Sequence, residues 1–285
     1  MFDKQSIMKK KVTWLALYCL LAGMASCGDN GEAEAGKLLV KAEAALNAGQ
    51  FNEAKIEIDS IRVLYPKAFE ARKAGIALMQ RIDLKEQERS VAFLDSTLAS
   101  LQAQAEERCK GFVFEKDTAY QDLGNYFHPT QTVEKNINRS FLRAQVNEKG
   151  KMTLTSIYCG PRNAHHTSVK VEAPDGTFAE TPASDDIYES NDLGWKIEKA
   201  DYPQGKDGGV MAFIALNAEQ PLYVTFRGER TYKSRMPAND KTAIAELQKL
   251  AQLLSAIEQA KRDKEEALRK ITFIKHKMQE NQTEK

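Results

Sequence analysis

A surplus of charge of either sign is missing from this chain. Lys and Arg together number 41 and Asp and Glu 40, which leaves a formal charge of +1 over 285 residues. Proteins that grip nucleic acid by its phosphates need a basic surplus, so the composition makes no electrostatic case for that partner. The apolar stretch at residues 12–22 falls short of the roughly 20 residues a membrane-spanning helix needs. Catalytic signatures are also missing: there is no Gly-x-Ser-x-Gly elbow, no His-Glu-x-x-His and no Gly-x-x-x-x-Gly-Lys-(Ser/Thr) phosphate loop. Nothing in the sequence calls for a cofactor or a catalytic residue. What remains, at 42% hydrophobic and 28% charged residues, is an ordinary globular composition.

The most informative residues lie at the start. Lys9, Lys10 and Lys11 precede the uncharged stretch containing Trp14, Leu15, Leu17, Leu20 and Leu21, and small residues Ala25 and Ser26 then lead to Cys27. That order is the layout of a cleavable signal peptide over residues 1–26. Met24-Ala25-Ser26-Cys27 resembles the lipobox of bacterial lipoproteins, with Met in the place of the usual Leu. The resemblance implies that Cys27 becomes the first mature residue and carries a diacylglycerol and a fatty acyl chain such as palmitate. It implies an anchor in the cell envelope, most simply the outer membrane. Each buried methylene contributes about 0.8 kcal/mol, so several chains hold stably. Residues 27–36 are small and acidic and are expected to form a tether. An acidic stretch after the lipid-bearing cysteine also resembles the surface-export signal of Bacteroidetes lipoproteins.

Four cysteines occur in all. Cys19 leaves with the signal and Cys27 takes lipid, so Cys109 and Cys159 remain as a candidate disulfide in an oxidising compartment. No metal site is expected from two isolated cysteines without a nearby histidine.

Residues 37–110 read as helical. Leu38, Leu39, Ala42, Ala45 and Leu46 recur at helical spacing and stop at Asn47-Ala48-Gly49. A second stripe, Phe51, Ala54, Ile58, Ile61 and Leu64, ends at Pro66. Gly49, Phe51, Ala54, Ile58, Ile61 and Pro66 resemble the second half of a tetratricopeptide repeat, over about one repeat of 34 residues. Beyond Pro66, Ala77, Leu84, Val91, Leu94, Leu98, Leu101 and Ala105 follow alternating three- and four-residue steps. Residues 237–285 mirror them through Leu250, Leu253, Ile257, Ala260, Ala267, Ile271, Ile274 and Met278, after Pro237 and a cap at Asn239 or Asp240. The two heptad helices are expected to pair as an antiparallel coiled-coil stalk, or each with a copy of itself in a homo-oligomer.

Between them, residues 111–236 change period. Residues 141–146 and 152–158 flank a hairpin signal at Asn147–Lys151, and residues 168–172 meet the turn Pro174-Asp175-Gly176. Trp195–Glu198 alternates, 210–216 is a continuous apolar run read as a central strand, and 222–227 completes the set. The expected class is therefore α+β, with a β-sandwich-like domain inserted between the long helices. Gly205–Gly209 has the glycines of a phosphate cradle at the wrong spacing and reads as a connecting loop.

His165-His166 is the only histidine pair. On a strand the two would face opposite ways and could not easily share a metal, whereas in a loop they could. Asp185, Asp186, Glu189 and Asp192 cluster near Tyr188 and Trp195. Trp195, Tyr188, Asp185 and Asp186 together are the candidate ligand surface on the β domain. These readings describe a lipid-tethered, non-enzymatic scaffold or binding protein with a protein partner. The alternative is a protein or enzyme that engages envelope glycan or peptidoglycan through its β domain.

Overall fold

The computed structural model describes residues 31–192 and 194–283. The signal segment, Cys27 and residues 28–30 of the expected tether lie outside them. Five α-helices, α1 (Glu32–Asn47), α2 (Phe51–Leu64), α3 (Phe69–Cys109), α4 (Val210–Leu216) and α5 (Ala238–Thr283), accompany two antiparallel sheets, so the class is α+β. The described residues fall into two compact units. One takes the chain up to Ala92 and again from Glu266 onward; the other is Phe93–Glu265.

In the first unit, α1 and α2 form the expected helical hairpin, with Gly49 at φ +73° supplying the left-handed turn that L side chains disfavour. Ala42 and Leu46 of α1 pack with Ala54 and Ile58 of α2 and with Leu78 and Ile82 of α3. Ala42 and Ala54 are completely buried, and their small side chains allow the helices this close approach. A second cluster joins Ala35, Ile61, Ala68 and Ala71.

The expected tether is shorter than residues 27–36, because α1 already begins at Glu32. The Glu32 carboxylate accepts the backbone N–H groups of Glu70 and Ala71, both at 3.0 Å. Those donors belong to the first turn of α3, which has no intrahelical acceptors for them. An acid that reads as solubilising in the sequence is in fact a cap supplied by another helix.

The second unit is built on β1 (Val113–Glu115), β2 (Asn125–Phe127), β3 (Phe141–Asn147), β4 (Met152–Gly160), β5 (Ser168–Glu172), β6 (Phe178–Glu180), β7 (Ile187–Asp192), β8 (Trp195–Pro203), β9 (Tyr223–Arg227) and β10 (Tyr232–Arg235). The larger sheet has the order β1-β2-β3-β4-β8-β7 and the smaller β10-β9-β5-β6. The β3–β4 hairpin and the Asp175-Gly176 turn between β5 and β6 stand where the turn residues put them. Inward residues such as Leu142, Leu154, Ala200 and Tyr202 from the larger sheet share one core with Val169, Val171, Val224 and Phe226 from the smaller. Leu98 and Ala105 of α3 and Leu247, Leu250, Leu254 and Ile257 of α5 join this core, which therefore reaches beyond residues 111–236. Within the unit Arg108 pairs with Glu246 at 2.9 Å and Asp95 with Lys264 at 2.5 Å. Ascending α3 thus meets descending α5.

Two local expectations are corrected. The apolar run 210–216 is helix α4, not a central strand. Its buried residues Val210, Met211 and Ile214 follow a helical spacing that a continuously apolar run conceals. Asp207 caps it, accepting the Met211 N–H at 3.0 Å, and Gly208 at φ +60° lies so close to the Glu180 carbonyl that no Cβ would fit. Neither Asn239 nor Asp240 caps α5, which already begins at Ala238, and Asp240 has a different role. It lies inside the first turn, 1% exposed at its side chain, where the Arg139 guanidinium grips it with two hydrogen bonds of 2.8 and 2.6 Å.

The tip of the β3–β4 hairpin rests on α5. Gly150 has φ +77°, accepts the Ser255 hydroxyl proton at 3.1 Å, and would place a Cβ 2.4 Å from the Ser255 nitrogen. Gly176 has φ +85° but open space around it. We therefore expect Gly150→Ala to cost about 3 kcal/mol in urea denaturation and Gly176→Ala about 1 kcal/mol. Equal losses would show that the contact with α5 is loose.

Candidate functional site

The inward face of the larger sheet carries an ionised group with no route to water. Glu198 on β8 and Ser156 on β4 both point into the core, and residues 161–167 bring His166 between them. One Glu198 oxygen accepts the backbone N–H groups of Ala164 (2.7 Å) and His165 (3.0 Å). The other accepts the His166 backbone N–H (3.0 Å) and faces its ring Nδ1 (2.9 Å). Three successive amides can converge on one carboxylate because His165 adopts φ +49°. Gly228 lets the neighbouring turn close over them, since a Cβ there would meet the His165 carbonyl at 2.2 Å. Burial pushes the Glu198 carboxyl upward, but the backbone donors and the imidazole outweigh it and hold the group below its ordinary value of 4.5.

Ser156 Oγ lies 2.7 Å from His166 Nε2, which completes a serine–histidine–glutamate chain with the spacing of a catalytic triad. Exposure decides its role. Ser156, His166 and Glu198 are all 0% exposed, and the Tyr202 hydroxyl stands 3.3 Å from Ser156 while donating to the Thr167 carbonyl at 3.0 Å. A nucleophile must meet a substrate, and this one faces only protein. The His166 ring packs edge-on against Phe226 of the smaller sheet at 5.3 Å, so the chain of groups joins the two sheets.

His165, Glu189 and Glu198 place ligand atoms within 4.8 Å of one another, a spacing that suits a metal ion. The donor set does not suit one, because Glu198 already accepts four hydrogen bonds and a cation would have to displace backbone donors. His165 is half exposed and bonds Glu189 at 2.8 Å, and that bond raises its pKa. The two neighbouring histidines diverge, one outward and one into the core.

The candidate ligand surface is only partly assembled. Residues paired across strands share a face, so Tyr188, opposite Lys199, and Trp195, opposite Asp192, both lie on the outer face of the larger sheet, 59% and 41% exposed. Asp185 and Asp186 are exposed in the segment before β7, while Glu189 and Asp192 on β7 alternate between faces. Strand alternation disperses the acidic cluster. Cys109 and Cys159 are both free. Cys109 packs on the inward core beside Tyr126, where burial and this thiol push the phenol up to about 12, whereas Cys159 lies on the outer face of β4. The sheet itself separates them, so the expected disulfide is not formed.

The outer face holds a cavity of about 540 Å³ that the sequence did not single out. Glu115 of β1, Asn125 and Phe127 of β2, and Arg143 and Gln145 of β3 line it, with Lys116, Asp117 and Gln121 as a wall. The Arg143 guanidinium lies over the Phe127 ring, 4.9 Å from its centre, and burial lowers its pKa. Arg143 and Gln145 stand at the polar positions of an alternating strand, which was legible. That Glu115 and Asn125 share their face was not. No family model, curated protein or solved structure matches the chain.

A carboxyl depressed by folding stabilises above its ordinary value, and the contribution is lost as pH falls through the folded value. Glu198→Gln would turn an amide donor toward backbone N–H groups, for an expected loss of about 3 kcal/mol at neutral pH. The variant should also lose less of its remaining stability than the parent between pH 5 and pH 3 (about one unit either side of the free carboxyl). Parallel stability–pH curves would remove Glu198 from its central role.

Proposed function

We propose that this protein is a non-catalytic binding lipoprotein of the bacterial cell envelope, held to the outer membrane by lipid on Cys27. The observation that carries the reading is a contrast within one sheet. The serine–histidine–glutamate chain is sealed in the core, while the opposite face carries an open, charged cavity around Arg143. Anchoring is supported by the lysine–apolar–small–Cys27 order of the N-terminal sequence. Among the described residues no helix is long and apolar enough to cross a membrane.

The finer architecture belongs to the same proposal. Heptad spacing, together with the Arg108–Glu246 and Asp95–Lys264 pairs of the second unit, supports an antiparallel coiled coil of α3 and α5. The shared core of the two sheets supports a sandwich, and the buried alanines of α1 and α2 a tetratricopeptide-like hairpin. A protein partner at the hairpin is supported by apolar side chains that α2 and the start of α3 leave exposed: Ile56, Val63, Leu64, Phe69 and Ile76. A second copy of the chain is one such partner. The alternative, binding of envelope glycan or peptidoglycan, is supported by Tyr188 and Trp195 standing on the cavity's face of the sheet.

Cys27→Ala, produced in the native host, should lose fatty-acid labelling and move from the membrane to the soluble fraction. Undiminished membrane retention would overturn the lipid anchor. Cross-linking in membranes should recover a protein partner that Ile56→Asp with Val63→Asp releases. A chain that cross-links identically with and without these substitutions would remove the hairpin from the interface.

A further inference from the structure

The cavity on the outer face contains more hydrogen-bonding capacity than the protein uses. The Arg143 Nε is buried without a hydrogen bond, and among the described residues no ion pair reaches the guanidinium. Its Cζ lies 4.9 Å from the centre of the Phe127 ring, and no protein acceptor among the described residues takes its N–H groups, so the fork keeps donors for a carboxylate. Glu115 acts on Arg143 only through charge. The two belong to β1 and β3, with β2 between them, and Arg143 stands four residues along β3 from Asn147, the residue across Asn125 from Glu115, so their backbones are about 16 Å apart. The gap is too wide for easy pairing and wide enough for a ligand. Asn125 and Gln145, whose side chains have no protein hydrogen-bond partner among the described residues, lie between them.

Charge narrows the ligand. Lys116, the other cation of the cavity, is held by Glu148 at 3.3 Å, and Glu148 also accepts the Gly124 N–H at 2.8 Å. With Lys116 so neutralised, Arg143 meets two carboxylates in the cavity, Glu115 and Asp117, and the Asp201 carboxylate beyond it also acts on Arg143 through charge. A phosphate dianion would meet one available cation and two repelling acids. A purely apolar ligand would find Phe127 already covered by the guanidinium. A compound carrying one carboxylate and one ammonium satisfies both signs.

We propose that this cavity binds an α-amino-carboxylate zwitterion. Its carboxylate lies on the Arg143 fork, its ammonium lies toward Glu115, and the Asn125 and Gln145 amides take the remaining polar groups. The inference rests on the binding-protein reading and names its ligand class. The zwitterion has two sources, a free amino acid or the amino-acid end of an envelope peptide.

The test is calorimetric titration of the detergent-solubilised full chain with three compounds of one carbon skeleton. Diaminopimelate has zwitterionic ends, pimelate only acids and cadaverine only amines. Diaminopimelate should bind at least tenfold more tightly than either of the others. Arg143→Gln and Glu115→Gln should each weaken it tenfold or more while leaving the melting temperature unchanged. Tighter binding of a wall peptide bearing diaminopimelate would assign the peptide source, and weaker binding the free amino acid. If pimelate binds as well as diaminopimelate and loses affinity in Arg143→Gln, the zwitterion is wrong and the cavity stands. If no compound binds, or if binding is indifferent to Arg143, the cavity reading fails as well.

Discussion

One carboxylate surrounded by four hydrogen bonds organises the second unit. Glu198 comes from the middle of β8, yet its partners are three consecutive backbone amides and a ring nitrogen from residues 164–166. A loop that crosses between sheets carries backbone donors that would otherwise be buried without acceptors. The carboxylate supplies all of them at once, and the donors in turn make an ionised group tolerable in the core. His166 then extends the contact in two directions, to Ser156 on the larger sheet and to Phe226 on the smaller. The left-handed conformation of His165 and the bare Gly228 beside it are consequences of bringing three amides to one point.

The same arrangement bears on function. Its spacing is that of an acyl-transfer site, and spacing alone would be a poor guide. Complete burial turns a nucleophile, a base and an acid into a structural pin. Chemistry available to a ligand lies on the other face of the sheet, where alternation puts Glu115, Asn125, Arg143 and Gln145 and leaves their polar groups open. One sheet therefore separates a closed polar network from an exposed one. The proposed binding role rests on this division.

Periodic features were legible in the sequence. Alternating three- and four-residue steps marked α3 and α5, Gly49 and Pro66 bounded the hairpin, and Asn147–Lys151 marked the β3–β4 turn, because each depends on neighbours along the chain. Residues 210–216 were misread, since a run apolar at every position carries no period and only the Asp207 cap and the adjacent glycines decide for a helix. Glu32 and Asp240 were misread for a related reason. Each looked like part of a local cap or tether, while its partners, the start of α3 and Arg139, are distant in sequence. Of the candidate site, Tyr188 and Trp195 were recognised as surface aromatics, but Arg143, Ser156 and Glu198 were not singled out.

By itself the sequence determined the class, the long helices, most strands and the N-terminal resemblance to a lipoprotein signal. Those features follow from side-chain spacing within one segment. Tertiary structure alone decided which polar residues are buried together and which share an open face. Strand order and register put Cys109 and Cys159 on opposite sides of a sheet, dispersed the acidic cluster at 185–192, and brought residues from β1, β2 and β3 to one cavity. The physical reason is that alternation assigns each strand residue a side, but pairing between distant strands assigns its neighbours, and no local period records that pairing.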